Sequence, residues 1–433
     1  MFNSLFFAFN DTSCRIRVDR KQDGIKGEER LNASKNILTM MLFLSMLVIG
    51  TNTSAEEVEK EFNLHTQKSF YGFVRELPEQ MNRFQFDSGF TFNYPDAVRG
   101  IYVTGPSAGG QKFNDLVAMM RETDLNAMVI DMKEDWGNLT YIPEDKEKYK
   151  DIIEPYIKKP KDLLAKMEEE EIYPIARVVV FKDTELAKAK PEWTFKKGDE
   201  IWKNGRGEAF VNPFLKEVWD YNIDIAIDAA KLGFQEIQFD YVRFPEGFEN
   251  MDKSLKYSKG HYKDEIDGDD VQMRVKAVTD FVEYAKAKLE PYGVKVSVDI
   301  FGYTATLPEA PGIGQNFSKI SEHVDVISSM IYPSHWTSYF GIPKPDLEPY
   351  KLVKEYAKLE NKKIGELENP PVSRPWLQDF TASYLGKGNY KPYGKKEVEE
   401  QIKALNEEGI DEFLLWNAGN SYTKNVDYTP LTD

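Results

Sequence analysis

The feature that most limits how this chain can fold is a regular alternation of short apolar runs with segments of helical period, starting at residue 98. The β-type runs lie at 98–104, 127–131, 172–180, 236–240, 294–300, 325–332, 372–379 and 412–416. Helical periods follow the first seven runs, at 113–122, 161–171, 213–232, 271–289, 317–323, 347–359 and 395–408. Repeated strand–helix units over roughly 325 residues predict an α/β fold, a (β/α)8 TIM barrel with an N-terminal extension.

A doubly wound open sheet is the competing architecture for such a chain. It would need a glycine-rich phosphate or dinucleotide loop after the first strand, and Gly105–Gly110 has neither the GxGxxG spacing nor a GK[ST] ending. We interpret that segment as a flexible loop. Long polar loops are predicted after strands three and four, at 182–212 and 246–270. At the C-terminal face of a barrel, such loops shape the site more than the fold.

The N-terminus has the pattern of an export signal. A basic flank at Lys35 precedes an apolar run, 37–50, and the small residues 53–55 suit a cleavage site. The apolar run is too short to span a membrane comfortably. We therefore predict a signal peptide around 35–55 with the true start nearer residue 31. The alternative is that the run is a buried core helix.

The predicted domain order follows from this pattern. Residues 1–55 are expected to be a leader, 56–97 an extension packed on the barrel, and 98–433 the catalytic domain. The one cysteine, Cys14, lies in the leader, so the mature chain would need no oxidising compartment. We expect the mature protein to be secreted or associated with the cell envelope, without membrane contact after leader cleavage.

The charge and the histidine pattern exclude several classes of function. A net charge of -16 disfavours nucleic acid, which needs a basic surface, and also disfavours an anionic membrane. The histidines are scattered, without the His-x-His spacing of metal-dependent barrel hydrolases, so neither a metal nor another cofactor is predicted. The sequence does not indicate an oligomeric state.

Three aspartates at predicted strand ends are the candidate catalytic residues. Period-two alternation directs Asp131, Asp240 and Asp299 into the barrel from strands two, four and five. A carboxylate in such a strand is costly unless it is paired or opens on a cleft. Arg177 of strand three alternates to the same side, between two of the acids, and Gln238 shares the inward face of strand four. Catalytic groups of barrel enzymes occupy these C-terminal strand ends.

Strand spacing separates two possible mechanisms. Adjacent strands lie about 4.8 Å apart, so Asp240 and Asp299 could approach to roughly 5–5.5 Å, as in retaining glycosidases. Asp131 and Asp240, two strands apart, would be separated by roughly 9–10 Å, nearer the inverting range. Two carboxylates close together push one pKa upward, which produces an acid and a base from the same residue type.

Basic and aromatic side chains are predicted around the C-terminal end of the barrel (the mouth), and their chemistry favours binding of a sugar. Lys133, Arg177 and Arg243 would orient carboxylates and hydroxyls; the alternative is that they only pair with the acids and cap the barrel without turnover. Aromatic faces combined with amides suit polyols, which have CH faces and hydroxyl rims. The predicted substrate-binding residues are Lys133, Arg177, Arg243, Gln238, Trp136, Tyr332, His335, Gln378 and Trp416.

Four strings carry a family resemblance: VRGIYVT (98–104), VIDMKE (129–134), FDYVRFP (239–245) and SMIYPSH (329–335). Together they resemble the bacterial putative glycosyl hydrolase domain family, exported barrel proteins grouped with glycosidases. The similarity covers almost all of residues 98–422. It implies a TIM barrel and glycoside hydrolysis but no particular substrate.

The wider α-amylase-like group suggests roles for two of the aspartates. The resemblance implies that Asp240, at the end of strand four, is the nucleophile; Asp299 stands where that group has a glutamate as acid. We therefore expect a secreted glycoside hydrolase acting on an extracellular or cell-wall polysaccharide, with Asp240 as nucleophile or base and Asp299 or Asp131 as acid. The alternatives are a non-catalytic carbohydrate-binding barrel and, more distantly, a barrel lyase or esterase.

Overall fold

The computed structural model describes residues 86–431, so the predicted leader and most of the predicted extension lie outside the described residues. The eight strands of the barrel pair in parallel, each with the next along the chain, and the first also pairs with the last. They are β1 Arg99–Val103, β2 Ala127–Lys133, β3 Tyr173–Val179, β4 Glu236–Asp240, β5 Lys295–Phe301, β6 Val326–Met330, β7 Val372–Ser373 with Trp376–Gln378, and β8 Phe413–Trp416. The sheet is a closed barrel.

A helix follows each of the first seven strands, as the periodicity predicts. These helices are α1 Gln111–Met120, α2 Pro160–Glu169, α3 Lys216–Leu232, α4 Asp270–Leu289, α5 Phe317–Ser321, α6 Pro349–Ile364 and α7 Lys395–Asn406. Most of their ends lie within a few residues of the predicted ones. The predicted (β/α)8 TIM barrel is therefore confirmed.

Period-two alternation divides the apolar side chains into two layers. The outer layer packs strands against helices, as Ile237 and Phe239 of β4 do. The inner layer fills the barrel and consists of Val98, Tyr102, Ala127, Val129, Tyr173, Ile175, Tyr332, Trp376 and Leu414. The barrel interior is thus a packed core, and chemistry is restricted to its ends.

The loops at the C-terminal ends of the strands contain most of the additional structure. The loop after β2 contains the short strands Leu139–Tyr141 and Ile153–Ile157. The loop after β3 contains a helix, Thr184–Ala189, and a small hairpin, Lys196–Lys197 with Glu200–Ile201. The loop after β4 contains short helices at Phe248–Met251 and Tyr262–Glu265. This elaborated end is the face on which barrel enzymes place their active sites.

The described part of the predicted extension, 86–97, contacts the opposite end of the barrel. The backbone N–H of Phe86 donates to the carbonyl of Pro291 (3.0 Å), after α4. At the end of α3, Gly233 has φ +124°, and a β-carbon there would lie 2.5 Å from Cδ2 of Phe90. Within residues 86–431, no helix combines the length and apolar character needed to cross a membrane.

Candidate active site

Arg177 joins two of the predicted catalytic aspartates at the C-terminal end of the barrel. Its Nη1 lies 2.6 Å from Oδ1 of Asp131 on β2. Its Nη2 and Nε lie 2.6 and 3.0 Å from Oδ2 of Asp240 on β4. The parallel register causes this, because β3 pairs Arg177 with Asp131 and Val179 with Asp240. The guanidinium therefore lies between two acids, as the alternation predicts.

Asp299, on the neighbouring strand β5, is the acid that no arginine or lysine contacts directly among the described residues. Its Oδ1 accepts a hydrogen bond from Nε1 of Trp376 on β7, at 2.8 Å. Burial, and then the nearby charge of Asp240, raise the pKa of Asp299 well above its usual range. Asp299 therefore retains its proton to higher pH than an ordinary aspartate, whereas Oδ2 of Asp240 accepts hydrogen bonds from the guanidinium of Arg177.

The backbone directly after Asp240 is held in an unusual conformation. Tyr241 has φ +53°, a left-handed value that is uncommon for a residue with a bulky side chain. Its backbone N–H donates to Oδ1 of Asp240 at 2.6 Å, so both carboxylate oxygens have donors. The Tyr241 ring packs against two cations, Nζ of Lys182 at 3.9 Å and the guanidinium of Arg243 at 4.8 Å. Strain of this kind concentrates at functional sites.

Tyr102 and Trp416 border Asp131. The hydroxyl of Tyr102 on β1 donates to Oδ2 of Asp131 at 2.5 Å, and its ring stacks on Trp416 with centroids 4.1 Å apart. Burial raises the pKa of Asp131, although Arg177 opposes the rise. Alternation within the first strand places Tyr102 inside the barrel, so the sequence contained the information needed to find it.

Asp135 and Lys182 are two further charged residues of the mouth that the sequence analysis did not select. Asp135 lies 2.8 Å from Nη2 of Arg177 and 2.6 Å from Nζ of Lys182. Burial by itself would raise the pKa of Asp135, but these two cations lower it below its usual range. Both residues lie beyond the ends of their strands, where alternation no longer predicts direction.

The predicted aromatic residues lie around the same mouth. The ring of Tyr332 lies 6.4 Å from Trp416 and 5.2 Å from His335. Trp416 is half-buried, whereas His335 is exposed. Trp136, which directly follows Asp135, is 44% exposed. Together they provide apolar faces beside the carboxyl groups.

Lys133 does not face the mouth, and that prediction is wrong. The pairing of β2 with β3 shifts between Asp131 and Lys133, a bulge that breaks the period-two alternation. Lys133 is completely buried, with Nζ 2.6 Å from Asp183 and 2.9 Å from Oδ1 of Asn222 on α3. Lys133 therefore connects strand β2 of the barrel with helix α3 outside it.

Gln238 and Gln378, both predicted to bind substrate, are also completely buried. Nε2 of Gln238 donates to Ser328 at 3.2 Å, one layer below Asp240. Gln378 accepts from the backbone N–H of Ser334 and donates to Asp346, both at 3.0 Å, so it connects the end of β7 with the loop after β6. Neither side chain has a surface that a ligand could touch, and we correct both predictions to structural roles.

Arg243 lies at the mouth but is only 3% exposed. Its guanidinium donates to the carbonyl of Phe244 and to Glu246, both at 3.1 Å, and it covers the ring of Phe301 at 4.6 Å. Direct contact with a substrate is therefore limited to a small edge. Its main contribution in this structure is to hold the loop after β4.

The three carboxyl groups are almost completely buried. Asp131, Asp240 and Asp299 are 3%, 6% and 2% exposed, respectively. A surface cavity of about 400 Å³ elsewhere is lined by Phe340, Tyr350 and other residues, none of them from this mouth. Within residues 86–431 no cluster of histidine, cysteine and acidic side chains is arranged to hold a metal ion.

The loop after β1 contains a G-x-S-x-G string, Gly105–Gly109, a pattern that elsewhere marks a serine nucleophile. Here the hydroxyl of Ser107 contacts the hydroxyl of Thr104 at 3.1 Å, and among the described residues no histidine or carboxylate contacts it. A serine nucleophile needs an adjacent base. The contacts of Ser107 therefore do not support the esterase alternative.

Comparison with known proteins supplies the family. The family described as "Putative glycosyl hydrolase domain" matches residues 100–422. The chain belongs to this family. Glycoside hydrolysis is thus its class of activity, and the resemblance seen in the sequence is confirmed. A search of curated proteins found no match.

Two solved structures are similar to parts of this chain. The glycoside hydrolase domain of PgaB (BpsB) from Bordetella bronchiseptica has 12% identity and a TM-score of 0.51, over 75% of this chain and 95% of that domain. A hypothetical protein from Ruminiclostridium thermocellum ATCC 27405 has 28% identity and a TM-score of 0.40, over 46% of this chain and 96% of its own. At its low identity, the Bordetella likeness shows the fold alone.

Proposed function

We propose that this glycoside hydrolase cleaves an extracellular or cell-wall polysaccharide with Asp240 as nucleophile or base and Asp299 as general acid. The observation that carries the proposal is the unequal environment of these two acids on adjacent strands. Asp240 has a guanidinium and a backbone N–H on its oxygens, whereas Asp299 has only an indole N–H from the described residues. One carboxylate and one carboxylic acid side by side form the pair that glycoside hydrolysis needs.

The proposed chemistry follows from the different surroundings of the two acids. Asp299 would donate its proton to the glycosidic oxygen as the bond to the anomeric carbon breaks. Asp240 would attack that carbon, or remove a proton from the attacking water. In the first case water later releases the sugar from Asp240 and returns a proton to Asp299. Adjacent strands favour the first, retaining route, because their spacing of about 4.8 Å leaves little room for water between the acids.

Asp131 is the alternative partner of Asp240. It lies across Arg177 from Asp240 and is bonded by Tyr102. One guanidinium bonds both acids, so their nearest oxygens are at most about 7–8 Å apart, a separation within the inverting range of roughly 6.5–9.5 Å. The anomer released first, followed by NMR, distinguishes the two pairs of acids.

Substrate binding is proposed for the predicted aromatic residues of the mouth, of which Tyr332 is only 7% exposed. Trp136, Tyr332, His335 and Trp416 would stack on or bond to sugar rings, and Arg177 would orient the acids rather than the sugar. Arg243 would contact the substrate only through its exposed edge. Ring faces beside carboxyl groups match the CH faces and hydroxyl rims of a polysaccharide.

Export is proposed from the segment around 35–55, which lies outside the described residues. N-terminal sequencing of protein recovered from the culture medium tests it. A new N-terminus near residue 56 is expected. Recovery of the intact chain only from the cytoplasm would contradict the export proposal and would leave the hydrolase proposal standing.

A carbohydrate-binding barrel without turnover is the second candidate, and the burial of the acids favours it. Arg177 bonds both Asp131 and Asp240, and all three side chains are almost completely buried. Such a closed ion-pair network could serve structure alone. A binding protein would retain glycan affinity in the absence of any hydrolysis.

The test is a screen of the purified full chain against bacterial and plant polysaccharides, with reducing ends and bound glycan both measured. We expect release of reducing ends from at least one polymer. Asp240→Asn should abolish the release while binding persists. Binding without release by the wild-type chain would establish the second candidate instead.

A further inference from the structure

The indole of Trp376 reaches Asp299 from the other side of β6. The distance from Nε1 to Oδ1 is 2.8 Å, and the two side chains are 1% and 2% exposed. Trp416 holds the indole edge-on, with ring centroids 5.7 Å apart and an interplanar angle of 84°. The hydrogen bond is therefore shielded from water, and the contact with Trp416 holds the indole in place.

The direction of this hydrogen bond determines where a proton on Asp299 can be. An indole N–H only donates. Oδ1 therefore accepts this hydrogen bond whether the carboxyl group is charged or neutral. Because a carbonyl oxygen accepts better than a protonated one, the bond favours the neutral acid with its proton on Oδ2. We propose that Trp376 is a positioning residue, which keeps the transferable proton of Asp299 on Oδ2 and holds that carboxyl group in one orientation. This inference rests on the proposed role of Asp299 as general acid.

The surroundings of Asp299 predict how loss of the indole N–H would appear in a pH profile. The groups that act on it are Asp240 from the end of β4, Glu236 from the base of β4, Arg177 from β3 and Tyr332 after β6. Burial and Asp240 raise the pKa of Asp299, while Trp376 and Arg177 lower it. Removal of the indole donor should therefore raise that pKa further, because the anion loses more stabilisation than the neutral acid.

The experiment compares Trp376→Phe with a matched control, Trp219→Phe. Trp219 is also buried, and its Nε1 donates to the carbonyl of Pro213 at the same distance, 2.8 Å, outside the mouth. Each full-length variant is assayed with the dinitrophenyl and the phenyl glycoside of the sugar that the wild type releases from its polymer. The first leaving group departs without a proton, and the second requires one.

We expect Trp376→Phe to lower kcat/KM on the phenyl glycoside by about ten- to a hundred-fold, because a misoriented acid transfers its proton poorly. The dinitrophenyl glycoside should be cleaved at the wild-type rate. The alkaline limb of the phenyl profile should move to higher pH. Trp219→Phe should change neither the leaving-group dependence nor the limb.

A merely structural indole would give a different pattern. An equal loss on both glycosides, or an alkaline limb that stays in place, would overturn the inference. Asp299→Asn separates this failure from failure of the proposed function. If that variant loses the phenyl activity alone, the acid role stands and Trp376→Phe decides the inference. If it cleaves the phenyl glycoside normally, the acid assignment fails, and the positioning role with it.

Discussion

The barrel has an arginine-centred charge cluster at each end, one at the mouth and one at the N-terminal ends of the strands (the base of the barrel). The two clusters differ in how many of their acids contact the arginine. At the base, Arg374 lies 2.7 Å from both Glu236 and Glu412, so each acid contacts the same guanidinium. At the mouth, Arg177 contacts Asp131, Asp135 and Asp240, but Asp299 has no direct cation among the described residues. The mouth therefore keeps one acid that charge pairing does not satisfy.

The two ends also differ in what covers them. At the base, the hydroxyl of Tyr94 lies 2.8 Å from both Glu412 and Arg374, and its ring meets the edge of Tyr173 with centroids 5.3 Å apart. The described part of the extension thus closes this cluster. At the mouth, the residues around the acids include exposed rings such as Trp136.

The difference separates charge used for stability from charge available for chemistry. A buried cation shared by all neighbouring acids orders the structure. A buried acid without a cation destabilises the fold, and barrel enzymes keep such groups at the C-terminal strand ends. Substitutions at the base should therefore change stability alone, and those at the mouth should mainly change activity.

The largest effect is expected from Asp240→Asn. Loss of the nucleophile or base should lower kcat about a thousand-fold or more on the polymer identified by the screen. Arg177 keeps Asp131 and Asp135 as partners, so the urea midpoint should change little. A variant that is unfolded, or one with near-normal turnover, would contradict the assignment of Asp240 to chemistry.

Arg374→Met tests the cluster at the base of the barrel, where we expect a loss of stability without a loss of activity. Two buried glutamates lose their cation, and we expect a loss of about 3–5 kcal/mol in the free energy of unfolding. Activity per folded molecule should remain at the wild-type level. Adding Glu236→Gln and Glu412→Gln removes the unpaired charges and should restore much of the stability. Lost activity in the folded variant would mean that the two ends are coupled.

The fold could be predicted because its two periodicities are local. Alternation along the strands places Asp131, Asp240 and Asp299 on inward faces, and the parallel register then brings Arg177 between two of them. Each of these steps needs only residue spacing and the geometry of a closed parallel sheet. Closure of the barrel then brings these side chains together, because the C-terminal ends of all the strands surround one mouth.

The sequence could not predict features that depend on pairing between distant segments. The bulge that turns Lys133 outward appears only in the register of β2 against β3. Trp376 follows a Pro375 that interrupts its strand, and its indole meets Asp299 only after the barrel closes. Asp135 and Lys182 lie in loops, where direction is set by neighbours far away in the chain. Local spacing contains no information on these contacts.

Asp299→Asn should show that the unpaired acid costs stability. Burial raises the pKa of Asp299, so the folded state holds a proton that the unfolded chain releases above about pH 4. Stability contributed by this group therefore falls as pH rises from there toward the folded pKa. Asparagine does not titrate and still accepts from Trp376, so at pH 7 the variant should melt roughly 1–3 °C above the wild type. Calorimetry at pH 4 and pH 7 checks this; an equal difference at both would contradict it.

The smallest effect on activity among the mouth substitutions is expected from Tyr102→Phe, which removes a donor from Asp131 and leaves the Arg177 contact intact. We expect a loss of about 1–2 kcal/mol in stability and a decrease of roughly three- to ten-fold in kcat/KM. Tyr422→Phe is the matched control, because its hydroxyl donates to the backbone carbonyl of Tyr102 rather than to an acid. It should lose comparable stability with full activity. If both variants lose activity alike, the Tyr102–Asp131 bond belongs with the base cluster, as structure, and Asp131 has no part in the chemistry.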